Sequence, residues 1–452
     1  MKNTAMDLTQ GRPITQILLF SLPLVLGTLF QQLYSFVDTV MVGRIVGTEA
    51  LAAVGATYPL NFLILGFVQG ACIGFAVPLG RAIGARRSDE FQRSFWNGCW
   101  LGLMTFLVMT AVTLLLAEPL LRLIQTPEDI FTNAAAYIRI IFLGLPASAL
   151  YNYLAATLRA SGDSTRPFWF LLASSFLNII LDYTFMAVLR MGVAGAAWAT
   201  VTSQLVSGLL CLWWLAAKTA LLRGSGQRMG LSRRHLRELA VIGYPMGLEY
   251  SVSAVGAVVM QGALNTFGTV AVAGQTAGEK IRQMFTLPME SVGMGMVTYV
   301  SQNDGAGRTD RIWQGLRAGL TIQWSYCAAV WVVIYFGKPW FTQLVLGTST
   351  SAEAAYSIQY LGIISTLFCL HGALMIFRNT LQGMGYSVHA IFSGAGELIG
   401  RTIGGWLAVT VLGFTGICLA NPMAWGLALC YSAGMVFHFL RRRERTGRSD
   451  LA

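Results

Sequence analysis

Asp38, Asn178, Asp182 and Thr200 stand in segments that otherwise read as hydrocarbon-spanning helix. All of them offer oxygen. Two carboxylates, an amide oxygen and a hydroxyl make a donor set for a small hard cation such as Na+. The two acids suit a shared H+ equally well, because adjacent carboxylates push one proton affinity upward. A carboxylate in hydrocarbon is costly, so a chain that keeps two is expected to use them. The stretch around Asp38, PLVLGTLFQQLYSFVD from Pro23, adds to this chemistry. Pro23 removes a backbone hydrogen bond and kinks its helix. Tyr34 lies one turn before Asp38 on the same face, with Gln31 one turn further in. Tyr137, near the start of a later span, reaches a similar depth. An acid-based cavity with aromatic walls suits lipophilic cations, through cation–π attraction and desolvated charge pairing.

These residues need a membrane-spanning frame. The chain has 452 residues, 55% of them apolar and 11% charged, against about 25% charged in an ordinary soluble domain. Apolar runs of about 20 residues recur, each long enough for a transmembrane helix. None shows the dyad alternation of an outer-membrane barrel. About 12 spans are predicted, at approximately 14–42, 51–79, 94–117, 132–157, 166–189, 193–217, 239–265, 271–299, 312–336, 354–378, 386–411 and 415–440. The net charge of +11 lies between the spans, which argues against a nucleic-acid surface. The seven cysteines are scattered in or near apolar segments without a CxxC, and read as small packing residues. No small-residue cleavage site follows the first span, so no cleaved signal peptide is expected. A Walker lysine motif, HExxH and GxSxG are all missing from the sequence, so an enzyme is not expected. Glycine-rich pieces such as GVAGAAWAT read as close helix packing.

Basic residues favour one side of the membrane. With the N-terminus inside, the inner connections carry Lys2 and Arg12, the Arg81–Arg93 cluster, Arg159 and Arg166, the Lys218–Arg237 cluster, Arg308–Arg317, Arg378 and the basic tail. Only Arg44, Arg122, Arg190 and Lys338 fall outside. Both termini are therefore predicted to be cytoplasmic, in the plasma or inner membrane. At 1.5 Å per residue, Asp38 lies roughly 9 Å, Asp182 roughly 12 Å and Thr200 roughly 10 Å in from the outer face. Asn178 shares the face of Asp182 one turn away. The polar groups thus meet at one depth.

The two halves of the chain repeat. GTEALAA at Gly47 matches GTVAVAG at Gly268, AYIRII at Ala136 matches QYLGII at Gln359, and GVAGAAWAT at Gly192 matches GFTGICLAN at Gly413. The offset stays at about 221 to 223 residues. Six spans per half make the repeat parallel, the arrangement in which transporter halves rock to alternate access. The expected organisation is an N-lobe over 1–217, a linker over 218–237, a C-lobe over 238–440 and a basic tail over 441–452. The acids are not duplicated: Asp38 falls opposite Met260 and Asp182 opposite Ile403 to Gly405, while Thr200 falls opposite Asn421. Other intramembrane charges lie in the second half. Glu397 and Arg401 are spaced to neutralise each other. One compensating pair is expected among Glu279, Lys280 and Arg282. Glu249 and Glu290 are open to a cationic substrate, a proton or a partner such as Arg282.

Several stretches together resemble the multidrug and toxic compound extrusion (MATE) transporters: FSLPLVLGTLFQQLYSFVDTVMVGRIVG at Phe20, RASGDSTRPF at Arg159, NIILDY at Asn178 and GVAGAAWAT at Gly192. The resemblance implies an all-α membrane protein of 12 helices in two six-helix lobes forming a V, with both termini inside. It implies export of amphipathic or cationic small molecules in exchange for Na+ or H+. Carried onto this chain, it puts the cation site at Asp38, Asn178, Asp182 and Thr200, the hinge at Pro23 and cavity tyrosines at Tyr34 and Tyr137. Some members carry a glutamate deeper in the seventh helix. Glu249 here lies about one turn earlier, only four residues past Pro245, which points coupling to the N-lobe. A monomer surrounded by membrane lipids is expected. A flippase for lipid-linked or polysaccharide headgroups is the alternative within the wider group, although it would favour a cationic cavity.

Overall fold

Prolines, glycines and end-charges set the punctuation of a chain that is otherwise apolar. The computed structural model describes residues 5–219, 221–222 and 230–449. Lys2, Arg223 and Arg228 of the inner basic set, residues 220 and 223–229 of the linker, and the end of the tail lie outside the described residues. The helices are α1 (Pro13–Met41), α2 (Thr48–Gly84), α3 (Ser88–Leu123), α4 (Glu128–Leu143), α5 (Leu145–Ala160), α6 (Thr165–Tyr183), α7 (Val193–Lys218), α8 (Arg233–Asn265), α9 (Gly268–Gly305), α10 (Thr309–Leu346), α11 (Ala352–Thr366), α12 (Phe368–Gly383), α13 (Val388–Leu407) and α14 (Phe414–Ser449). Acids at helix starts and arginines at helix ends complement the helix dipole, as Asp89, Glu90 and Arg122 do on α3. Ser351 caps α11 by accepting from the Ala354 N–H, and Gly347 ends α10 with φ 77°.

Among the described residues seven single helices are long and apolar enough to cross a membrane, and the pairs α4–α5 and α11–α12 add two bent crossings. The remaining long helices, α8, α9 and α13, carry the charges singled out above. Twelve spans result, in the predicted order. The bends, 45° between α4 and α5 and 51° between α11 and α12, occupy equivalent places in the two halves. At the first bend a Cβ on Gly144 would sit 2.2 Å from Val201, and Pro146 opens α5. The chain therefore turns where a close neighbour and a missing N–H both require it.

The chain divides into two units. One holds the residues up to Asp7 and Leu26–Leu248, the other Leu8–Val25 and the residues from Glu249 onward. Both divisions inside a helix follow a proline, Pro23 in α1 and Pro245 in α8. In the first unit, Phe75, Phe91, Phe95, Phe142 and Tyr153 lie in one buried core. The first half of α8 joins this unit through glycines: a Cβ on Gly74 would meet the Gly243 Cα at 2.5 Å. Thr105 and Tyr244 are hydrogen-bonded at 2.7 Å. At the start of α8, His235 bonds Ser232 and Glu90, each at 2.9 Å. That contact holds the Glu90 carboxyl below its ordinary range. In the second unit the core gathers Tyr360, Phe368, Leu374 and Trp425. The chain entering α1 is strapped there by Arg311, whose guanidinium donates to the carbonyls of Leu8, Gln10 and Gly11.

Candidate functional site

Asp38 and Asp182 each sit just before an irregularity in their helix. After Asp38, α1 runs into a π-helical turn over Val42–Val46; after Asp182, α6 runs into another over Thr184–Val188. Such turns recur at functional sites. These two pack against each other. Val42, Met186, Val193, Ala196, Ala197 and the ring of Tyr137 form a buried apolar cluster there. Gly47 and Gly192, with φ of 125° and 62°, carry the chain out of the region at angles that side chains resist.

Within this frame Asp38 and Asp182 act on each other electrostatically. Asp182 is fully buried and Asn178 nearly so. Asp38 Oδ1, both oxygens of Asp182 and both polar atoms of Asn178 have no hydrogen-bond partner among the described residues. Two facing carboxylates are both acceptors, so a bond between them requires a proton, and any other attraction requires a cation. A buried group left without a partner costs about 1–3 kcal/mol, more when charged. So many at one place mark a position prepared for something that donates or is positive. Tyr34 and Tyr137 lie within electrostatic reach of both acids, and Gln31 stands one turn before Tyr34 on α1. Thr200 is placed on α7, which packs along α6. Among the described residues its hydroxyl makes no hydrogen bond, and only its carbonyl is engaged, by Ser203 Oγ at 2.9 Å.

The second unit is organised differently. Arg378 Nε meets Glu249 at 2.9 Å and its Nη1 meets Glu397 at 2.7 Å. Arg401 bonds Glu397 at 3.2 Å and Asn421 at 3.1 Å. Gln382 donates to Glu249 at 2.6 Å. Asn421 leads to the Tyr360 hydroxyl at 3.4 Å, and Tyr360 donates to Glu279, which is paired with Arg282. The Glu397–Arg401 pair and a pair within Glu279–Arg282 match expectation. Arg378 does not: read from the sequence as an inner-loop charge, it lies inside α12 between two glutamates. Glu249 is therefore held by Arg378, while Glu290 has His371 as its neighbour at 4.0 Å. His371 and Gln382 join this network without having stood out in the sequence. The signal was the run HGALMIFRNTLQ, polar residues at helical spacing on an otherwise apolar span.

Matching the two halves makes the contrast specific. Aligning the starts of α6 and α13 pairs Asn178 with Arg401, and aligning α7 with α14 pairs Thr200 with Asn421. The AYIRII and QYLGII motifs pair Tyr137 with Tyr360. The second unit thus carries its own guanidinium where the first has a neutral amide.

A model of the MatE family matches residues 23–184 and 245–398. The chain is 30% identical over 384 residues to "Probable multidrug resistance protein YpnP" of Bacillus subtilis (strain 168), covering 84% of this chain and 85% of that one. It is 26% identical over 380 residues to "Probable multidrug resistance protein YoeA" of the same organism, covering 81% and 80%. Among solved structures it is similar to "Outward-facing conformation of a multidrug resistance MATE family transporter of the MOP superfamily", with a TM-score of 0.91 at 22% identity over 98% of this chain and 99% of that one.

Proposed function

The chain belongs to the MatE family, and from that premise we propose that it is a secondary active multidrug exporter, driven by Na+ or H+ bound at the Asp38–Asp182 pair. The observation that carries this reading is the set of unpartnered buried oxygens on Asp38, Asn178 and Asp182. The second unit supports it by contrast, since Arg401 there supplies internally the charge that the first unit lacks. Cargo is amphipathic organic cations, attracted by the same acids and by the Tyr34 and Tyr137 rings.

The chain's own groups define the cycle. With both carboxylates ionised, their repulsion and desolvation favour uptake of either a coupling cation or a cationic substrate. Binding either one removes the attraction for the other, which is the condition for exchange. Asp38 rides on the part of α1 that belongs to the first unit, and Pro23 lies just before that part begins. The missing N–H of Pro23 makes α1 soft there, so a change of charge at Asp38 moves the outer part of α1 at low cost. In the proposed orientation both termini are cytoplasmic, the coupling cation enters from outside and the substrate from within.

The test is export of ethidium from proteoliposomes or cells under an imposed Na+ or pH gradient, each applied alone. Asp38→Asn and Asp182→Asn are expected to abolish gradient-driven export while the protein still folds. Export at the wild-type rate by either variant overturns the mechanism. Steady ion current without substrate exchange would make the chain a channel instead.

A further inference from the structure

Glu279, Lys280 and Arg282 put one acid and two bases within a single turn of α9. The acid is spent. Glu279 accepts from Nε and Nη2 of Arg282 and from the Tyr360 hydroxyl. Lys280 is the base left over. Among the described residues its ammonium has no carboxylate at ion-pair distance and makes no hydrogen bond. Glu290, the next acid along α9, lies roughly 15 Å further down the axis.

Lys280 stands on the exposed face of its helix. At 3.6 residues per turn, the exposed residues Ala273, Thr276, Lys280, Gln283, Met284 and Glu290 fall within an arc of about 120°. The opposite arc is packed. A Cβ on Gly274 would meet the Glu353 carbonyl at 2.3 Å, and one on Gly278 would meet the Tyr360 ring at 2.8 Å. The exposed arc is mostly polar, through Thr276, Lys280, Gln283 and Glu290. A face turned to lipid has a different composition: on α3 it is Leu103, Met104, Leu107, Val108, Val112 and Leu115. In the predicted span 271–299, Lys280 lies roughly 14 Å from the outer end, near the middle of a hydrocarbon core about 30 Å thick. A lysine at that depth costs about 3 kcal/mol or more in lipid, so the arc that carries it faces water.

We propose that Lys280 is an anion anchor on this water-lined face of the second unit, and that it selects, among amphipathic cations, those that also carry a carboxylate. The carboxylate accepts from the free ammonium in a charge-assisted bond. A cation whose acid is esterified keeps its positive charge and loses that bond. This rests on the reading of the chain as an exporter of organic cations, and deepens it by naming the residue that senses a second, negative group on the cargo.

The experiment is equilibrium binding to the purified full chain in detergent, without gradients, followed by fluorescence anisotropy. The probes are rhodamine 110, which carries a free carboxylate, and rhodamine 123, its methyl ester. Lys280→Met keeps a long side chain and removes the charge. It is expected to weaken rhodamine 110 binding by about tenfold and to leave rhodamine 123 binding unchanged. Lys280→Arg keeps the charge and is expected to bind both probes in the wild-type ratio. Lys280 has no carboxylate to strand, so Lys280→Met should fold, and thermal unfolding checks this. Equal weakening of both probes in Lys280→Met, or rhodamine 110 binding unchanged there, overturns the anchor. Because no gradient is applied, export that survives in Asp38→Asn counts against coupling in the first unit and leaves the anchor standing.

Discussion

Arg378 is the residue on which the second unit's polar interior turns. It lies between Glu249 and Glu397, with contacts at 2.9 and 2.7 Å. Both glutamates are almost fully buried. Removing one member of a buried ion pair leaves an uncompensated charge, which costs about 3–5 kcal/mol. Arg378→Leu is therefore expected to destabilise the protein by about that amount in an unfolding titration in detergent. Adding Glu397→Gln, which removes one stranded charge, should recover part of the loss. Two substitutions that add independently would rule out the shared network. Asp38 and Asp182 stand out in the sequence because each is a lone acid in an apolar span. Arg378 does not, because it lies close to a span end where a basic residue ordinarily belongs to the inner loop. Only packing shows that its guanidinium turns inward.

At the scale of the element, α1, like α8, has two allegiances. Its first part belongs to the second unit with the strap held by Arg311, and the part bearing Tyr34 and Asp38 belongs to the first. Pro23 falls just before the change. Proline inside a helix costs about 3 kcal/mol relative to alanine, and a chain that keeps it at this place retains a soft joint. Pro23→Ala is expected to raise thermal stability in detergent and to slow ion-driven export several-fold, with substrate binding kept. Undiminished export would remove the hinge from the mechanism. The spans themselves were legible because hydropathy and length fix them. The bend between α4 and α5 and the π-helical turns after Asp38 and Asp182 were not. They arise from neighbours, such as Val201 against Gly144, that are distant in sequence.

Across the whole molecule, one scaffold is used twice with different electrostatics. Tyr137 and Tyr360, Thr200 and Asn421, Asn178 and Arg401 occupy matching positions. In the second unit the position is filled by a guanidinium that bonds Glu397, Asn421 and the Ser253 carbonyl. In the first unit the same position is an amide with no partner, one turn from Asp182. If that difference is what makes the first unit responsive to an external cation, supplying the charge from within should silence it. Asn178→Arg places a guanidinium one turn from Asp182, where an ion pair on the same helix face can form. The variant is expected to fold at least as stably as wild type and to lose the thermal stabilisation that Na+ or H+ binding confers. It is also expected to lose gradient-driven ethidium export. An Asn178→Arg protein that is still stabilised by the coupling ion and still exports against a gradient would mean that the asymmetry between the halves is not the basis of coupling.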